Sequence, residues 1–320
     1  MKKVLTVVLA AFAAAFSMVA GAQEFPTRAV TMVVPFQAGG ATDVLARLLV
    51  VSMNKSFGQS VVIDNKPGAD TRIGARFVAN SQPDGYTSII LSSSGASWPL
   101  IFKDPGIDFM KELTPAGTIV DGALIIGASA KSPFNSIKEL VEYAKKNPGK
   151  VTWSLSSRSG EPILYEYLLR AKTGIDMLEV VYKGSAPQAQ AIIAGEVDIA
   201  QFAPGRVVAM EKAGQFKSLG ISGDKRDVQL PNVPTMKELG YDGMTNYDFG
   251  LFLPAKTPSA IVDKWNAAMV VALKDPAVKD GLVKFGFNPI GSSPAAHVAQ
   301  MHKAFDTWKL ATQAVGMKPE

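Results

Sequence analysis

The chain has 320 residues, no cysteine, 33 basic and 28 acidic residues, and 47% hydrophobic content. That length suggests two domains, because a single core stops growing near ~250–300 residues. The composition excludes wholesale disorder, a disulfide framework and thiolate chemistry, and a formal charge of +5 is not the footprint of a nucleic-acid binder.

Met1-Lys2-Lys3 is a short positive start, Val4 to Ala20 is an apolar run broken only by Thr6 and Ser17, and Ala20-Gly21-Ala22 supplies small residues. This three-part pattern predicts a secretory signal peptide over residues 1–22, cleaved after Ala22. No later stretch is apolar and long enough for a span. A soluble, periplasmic mature chain is therefore expected, in a compartment where binding proteins and hydrolases dominate. Having no cysteine avoids stray disulfides there.

Val30 to Val34 is short and β-branched and ends at Pro35, which predicts a buried strand. Gln37 to Thr42 forms a loop into a helix through Val44 to Leu49, with Thr42 or Asp43 as its N-cap. Val61-Val62-Ile63 is a second strand, ended by Asn65-Lys66-Pro67-Gly68, and a helix follows near Ile73 to Asn80. Pro83-Asp84-Gly85 is a turn, and Thr87 to Leu91 a strand opening into Ser92-Ser93-Ser94-Gly95-Ala96-Ser97. Further strands are expected at Ala123 to Ile126, Val151 to Leu155, Leu178 to Tyr182, Val197 to Phe202 and Lys217 to Ile221. Helices are expected at Ile137 to Lys146, Glu161 to Lys172, Pro187 to Ala194, Ala260 to Lys274 and Pro294 to Gln313. This alternation defines an α/β fold with mostly parallel sheets, and its two runs suggest two lobes.

Several strands run into small, polar loops that open a helix. Ligands of open α/β sheets sit outside the carboxyl ends of strands, and a helix N-terminus with unpaired N–H groups favours an anion. Gly39 and Gly40 permit close backbone approach, and Ser92, Ser94, Ser156, Ser157, Ser159 and Ser185 supply hydroxyls. If the loops of both lobes face one cleft, the site suits a carboxylate. No nucleophile elbow, phosphate loop or dinucleotide fingerprint is present. His297 and His302 have the wrong spacing for two metal ligands on one helical face and are expected at the surface. No catalytic residue, metal site or cofactor is expected.

Pro26-Thr27-Arg28, then Val33 through Asp43 and Ala46-Arg47, closely resemble the Bug (TctC-like) family of solute-binding proteins of tripartite tricarboxylate transporters. The resemblance continues in order through Gly58 to Val62, Asn65 to Ala69, Pro83 to Thr87, Ala144-Lys145, Pro148 to Lys150, Tyr182 to Pro187, Ala194 to Asp198 and Pro254 to Pro258.

The resemblance implies a Venus-flytrap fold: two α/β lobes joined by crossing strands and closing on a small carboxylate. One lobe would hold residues 23–124 and about 250–320, the other 125–249, with the last helix able to pack across. The resemblance places one ligand carboxylate at the loop Phe36 to Asp43, through Phe36, Ala38, Gly39, Gly40, Thr42 and Asp43. The opposing lobe would contribute the loop after Val151 to Leu155, with Lys183, Gly184, Ser185 and Phe202 nearby. It also implies delivery to the membrane subunits of such a transporter, and a monomer is expected.

This chain departs from the family at Ser156-Ser157-Arg158-Ser159-Gly160-Glu161-Pro162, where relatives have a Gly/Asn-rich loop, at Asp70-Thr71-Arg72, and at Gln201-Phe202-Ala203-Pro204. An added Arg158 favours a second anionic group, because Arg bonds a carboxylate in bidentate fashion. A dicarboxylate is therefore expected, with an aromatic one such as terephthalate as the sharper form, since Phe36, Trp98, Tyr182 and Phe202 could hold a flat body. The alternatives are a binding protein that signals to a sensor kinase, a periplasmic serine hydrolase, or a structural protein with an empty cleft.

Overall fold

The computed structural model describes residues 25–156, 158–182 and 184–319. The expected signal peptide, with its cleavage site, lies outside the described residues. Strands β1 (Val30–Val34), β2 (Val61–Asn65), β3 (Thr87–Leu91), β4 (Leu113–Gly122) and β5 (Ile125–Ser129) come first. β6 (Thr152–Leu155), β7 (Leu178–Val181), β8 (Ile199–Phe202), β9 (Phe216–Ile221), β10 (Tyr247–Pro254) and β11 (Asn288–Pro289) follow. They form a six-stranded sheet, in the order β11-β4-β10-β3-β1-β2, and a five-stranded sheet, β7-β6-β8-β5-β9. The chain leaves the first sheet between β4 and β5 and returns between β9 and β10.

Helices cover both faces of each sheet, which is why the strands read as continuous apolar runs. On one face of the first sheet, Val30, Met32 and Val34 meet Leu45, Leu49 and Met53 of the Ala41–Phe57 helix and Trp265 and Met269 of the Ser259–Lys274 helix. On the other, Val33, Ile89 and Leu91 pack with Val78, Trp98 and Phe109. In the second sheet, Trp153 and Leu155 pack with Leu140, Leu164 and Leu169. Ala200 and Phe202 pack with Ile192 and Val207 on its other side. Each fully buried large side chain contributes about 1.5–3 kcal/mol. The last helix, Pro294–Ala314, serves both cores: Met301 lies in that of the first sheet, and Trp308 and Ala311 in that of the second.

The expectation of mostly parallel sheets is corrected to mixed ones. β1 pairs parallel with β2 and β3, and β6 with β7 and β8. β10 runs antiparallel to β3 and β4, and β5 antiparallel to β8 and β9. The reason is the crossings. β5 and β10 arrive from the junction between the sheets and so point away from it. Their neighbours end there.

The pattern reading missed β4 because Pro115, Gly117 and Gly122 interrupt it. Pro115 is tolerated because β11 pairs only with Val120 and Asp121, which leaves that side of β4 at Pro115 without a partner strand. Gly117 has φ +135°, and a side chain there would meet Asn266 and Ser292. His297, expected at the surface, is fully buried. Its Nδ1 accepts from Gly117 N at 3.2 Å, and its ring fills the space left by Gly250, where a side-chain carbon would stand 2.1 Å from the imidazole. Burial holds this imidazole neutral, pulling its pKa down to about 3.

Candidate functional site

The carboxyl ends of β1, β3, β6 and β7 converge on the junction, and the loops that follow them meet there. Ser92 Oγ, after β3, donates to Glu161 Oε1, after β6, at 3.4 Å. Gly184 N, after β7, donates to Ser156 O at 3.1 Å. A side-chain carbon on Gly160 would stand 3.9 Å from Ser94 Oγ across the same gap.

Three helices open on this gap from a glycine and carry no side-chain cap on that glycine: Ala41–Phe57 from Gly40, Glu161–Thr173 from Gly160, and Ser185–Ala194 from Gly184. Apart from the N–H of Glu161, which bonds its own carboxyl, their first-turn N–H groups remain for an anion. Gly39, Gly160 and Gly184 all have positive φ, and open space surrounds the position of a side chain at Gly39 and at Gly184.

Neither Thr42 nor Asp43 is the N-cap expected; both lie inside the helix and are buried. Asp43 instead ties the loop down. Its carboxylate accepts from Gly39 N at 2.9 Å, Arg47 Nε at 2.7 Å and Nη2 at 3.1 Å, and Asn65 Nδ2 at 3.0 Å. Asn65 Nδ2 also donates to Phe36 O at 3.1 Å. The Arg47 guanidinium, with the Gly39 and Asn65 donors, outweighs burial and holds Asp43 down at about 2. The carboxylate is saturated, so Asp43 shapes the loop and has nothing left for a ligand.

Around the serine loop, Asp248 at the start of β10 accepts from Ser93 N at 3.1 Å, Ser93 Oγ at 2.5 Å and Ser92 Oγ at 3.3 Å. Burial pushes Asp248 up to about 6, and burial with the Asp248 charge pushes Glu161 up to about 8. Sequence reasoning missed both acids. Their signals were an acid placed directly after Gly160 and another inside the apolar run Tyr247 to Leu253. Ser93, Glu161 and Asp248 also wall a cavity of about 760 Å³ that reaches to the crossing segment and the last helix.

The structure brings Phe36, Ala38, Gly39 and Gly40 to the gap as exposed or half-buried loop residues, with Phe36 edge-on to Phe249 at 6.3 Å. Ser92, Ser156, Ser159 and Gly184 are half-buried there, Ser94 is buried, and Arg158 and Ser185 are exposed. Ser157 and Lys183 lie outside the described residues. Phe202 is corrected: it is a core residue 5.8 Å from the Phe216 ring. Trp98 is likewise buried, against Phe109. A period-2 strand end carries no mark of which face its last side chain takes, so Phe202 was misplaced.

Two helix-covered sheets with polar, glycine-started loops facing each other across their crossings define a periplasmic-binding-protein fold. The chain matches the family described as "Tripartite tricarboxylate transporter family receptor", TctC, over residues 45–316, and belongs to it. It is similar to the periplasmic binding protein BugD, at 32% identity and a TM-score of 0.80, over 92% of this chain and 100% of that one. It is also similar to a Rhodopseudomonas palustris protein solved with adipate, at 30% identity and a TM-score of 0.83, over 93% and 100%. MatC of the same organism, solved with bound malate, matches at 30% identity and a TM-score of 0.78, over 90% and 99%. As a member of this receptor family, the chain is a binding protein and not an enzyme. No helix among the described residues is long and apolar enough to cross a membrane.

Proposed function

We propose that the chain is exported, cleaved after Ala22, and captures a small dicarboxylate between two lobes that close around it. One lobe carries residues 23–124 and about 250–320, the other 125–249. It acts as a monomer in the periplasm and hands its ligand to the membrane subunits of a tripartite tricarboxylate transporter. The observation that carries this reading is the convergence of uncapped, glycine-started helices from both sheets on one gap. Two relatives of the same fold hold adipate and malate, both dicarboxylates.

One carboxylate is read at Ala38-Gly39-Gly40 and the other near Ser157-Arg158. Of the four aromatic side chains that could hold a flat ring, Trp98 and Phe202 are occupied in the core. Phe36 and Tyr182 remain, so terephthalate marks the outer edge of the proposed range and aliphatic dicarboxylates its centre.

Thermal unfolding against mono-, di- and tricarboxylates, terephthalate included, tests this. A ligand at 100 times its Kd adds about 2.7 kcal/mol, a shift of several degrees. A shift with dicarboxylates alone supports the reading, and a flat response across the panel sinks it. Arg158→Ala is expected to weaken a dicarboxylate about tenfold or more, and its monocarboxylate analogue far less. Equal losses would remove Arg158 from the site.

A further inference from the structure

Ser92 carries a donor deficit that bears on how the cleft closes. A hydroxyl has one hydrogen and two lone pairs. Ser94 N and Ser94 Oγ donate to Ser92 Oγ at 3.1 and 2.9 Å. Asp248 Oδ1 at 3.3 Å and Glu161 Oε1 at 3.4 Å then both stand as acceptors for its single hydrogen. One hydrogen cannot serve two ionised carboxylates. Asp248 is already supplied by Ser93 N and Ser93 Oγ. Glu161 has, besides Ser92, its own backbone N–H. Glu161 is therefore the acid that must bring its own proton.

The groups described around it agree. Asp121 on β4 is the cross-strand partner of Asp248, so the wall behind carries like charge. Tyr165, on the same helix as Glu161, and Tyr247, on β10, are phenols that burial keeps neutral. Among the cations that line the cavity, Lys237 pairs with Asp224 at 2.7 Å and Arg226 with Glu238 at 3.0 Å. Lys225 and Lys303 complete that lining, and among the described residues burial and the Asp248 charge, not a cation, set the state of Glu161. Glu161 is also a side-chain link between the second sheet and the serine loop of the first.

We propose that Glu161 is a positioning residue that latches the cleft as a neutral carboxylic acid, holding Gly160 and the start of its helix against Ser92–Ser94, so that closure on a dicarboxylate takes up a proton wherever the open form has Glu161 ionised. This rests on the cleft being the dicarboxylate site. Opening returns Glu161 toward water and toward its ordinary acidity. Burial holds it near 8 when closed. Between those limits closure consumes a proton, and affinity falls toward tenfold per pH unit as pH rises, levelling above about 8.

Calorimetric titration of adipate and of malate at pH 6, 7, 8 and 9, in buffers of different ionisation enthalpy, reads the proton directly. The expected result in the wild type is little uptake at pH 6, where the ligand-free chain is already latched, and the largest uptake between pH 7 and 8, where it has opened and the closed complex still holds the proton. In Glu161→Gln, which keeps the shape without the charge, the expected result is none, with an affinity independent of pH. Small-angle scattering of the ligand-free chain reads the same latch without a ligand: the wild type expands between pH 6 and 8.5, and Glu161→Gln does not. Identical proton uptake in both forms, or identical scattering profiles, overturns the latch. Failure of every carboxylate to bind, with the difference in scattering intact, overturns the ligand reading and leaves the latch standing.

Discussion

Two helices open on the cleft with an acid in their first turn, and the two acids live in opposite states. Asp43 is buried, yet four donor contacts, two of them from the Arg47 guanidinium, keep it ionised and hold it near 2. Glu161 shares one hydroxyl hydrogen with Asp248, and burial lifts it to about 8. Burial does not by itself decide the charge of a carboxyl; the supply of donors decides it. One side of the cleft is thus built around a fixed anion that shapes a loop. The other is built around an acid whose proton is exchangeable near neutral pH.

The comparison can be broken most forcefully at Asp43. Asp43→Ala strips Gly39, Arg47 and Asn65 of their shared acceptor, and a loss of about 2–3 kcal/mol is expected by denaturant unfolding. Asp43→Asn, which keeps part of the hydrogen bonding, is expected to lose less. A loss below about 0.5 kcal/mol would show that the loop holds its shape without the carboxylate.

A second test uses pH. Glu161 and the fully buried Glu166 are both lifted to about 8, so the folded chain keeps protons that the unfolded chain releases above about 4.5. Stability therefore falls as pH rises from about 5 to 8 and levels beyond. Asp43 has the opposite sign: its contribution is present above the ordinary carboxylate range and is lost as pH falls through about 2. Glu166→Gln and Glu161→Gln are each expected to flatten the decline, by about 1–2 kcal/mol at pH 8 with little change at pH 5. Only Glu161→Gln is expected to alter ligand affinity, because Glu166 pairs with Arg170 away from the cleft. Equal effects on affinity would remove the distinction between the two acids.

The smallest effect belongs to Gly39→Ala. No atom would lie within 4 Å of the new carbon, but φ of +82° is unfavourable for it, and about 1 kcal/mol is expected by thermal unfolding. A much larger loss of dicarboxylate affinity than of stability would identify Gly39 as a point of close ligand approach.

Most helices and the short β-branched strands were legible because their periodicity and terminators are local. The Ser136 cap of the Ile137–Lys146 helix and the Ser293 cap of the last helix are written in adjacent residues. β4 was hidden by Pro115 and its glycines, which only a partner-free edge and a closely packed helix make acceptable. The loops at 36–43, 92–94 and 158–160 were legible as polar ends of apolar strands, and the fold brings them to one junction. Phe202 and Trp98 misled because an aromatic beside a loop looks alike whether it faces the gap or the core. Glu161 and Asp248 went unnoticed because neither has a local pattern; their significance is a distance between residues remote in the chain.

The sequence by itself determined the α/β alternation, the family and the placement of small polar loops at strand ends, since these depend on residues within a few positions of each other. Tertiary structure alone decided which strands run against their neighbours, since that depends on where the chain crosses between the sheets. It alone decided that His297 is buried between two glycines. It also set the Ser92 hydroxyl between two carboxyls, so that a shortage of hydrogen-bond donors, not a motif, sets the chemistry at the junction.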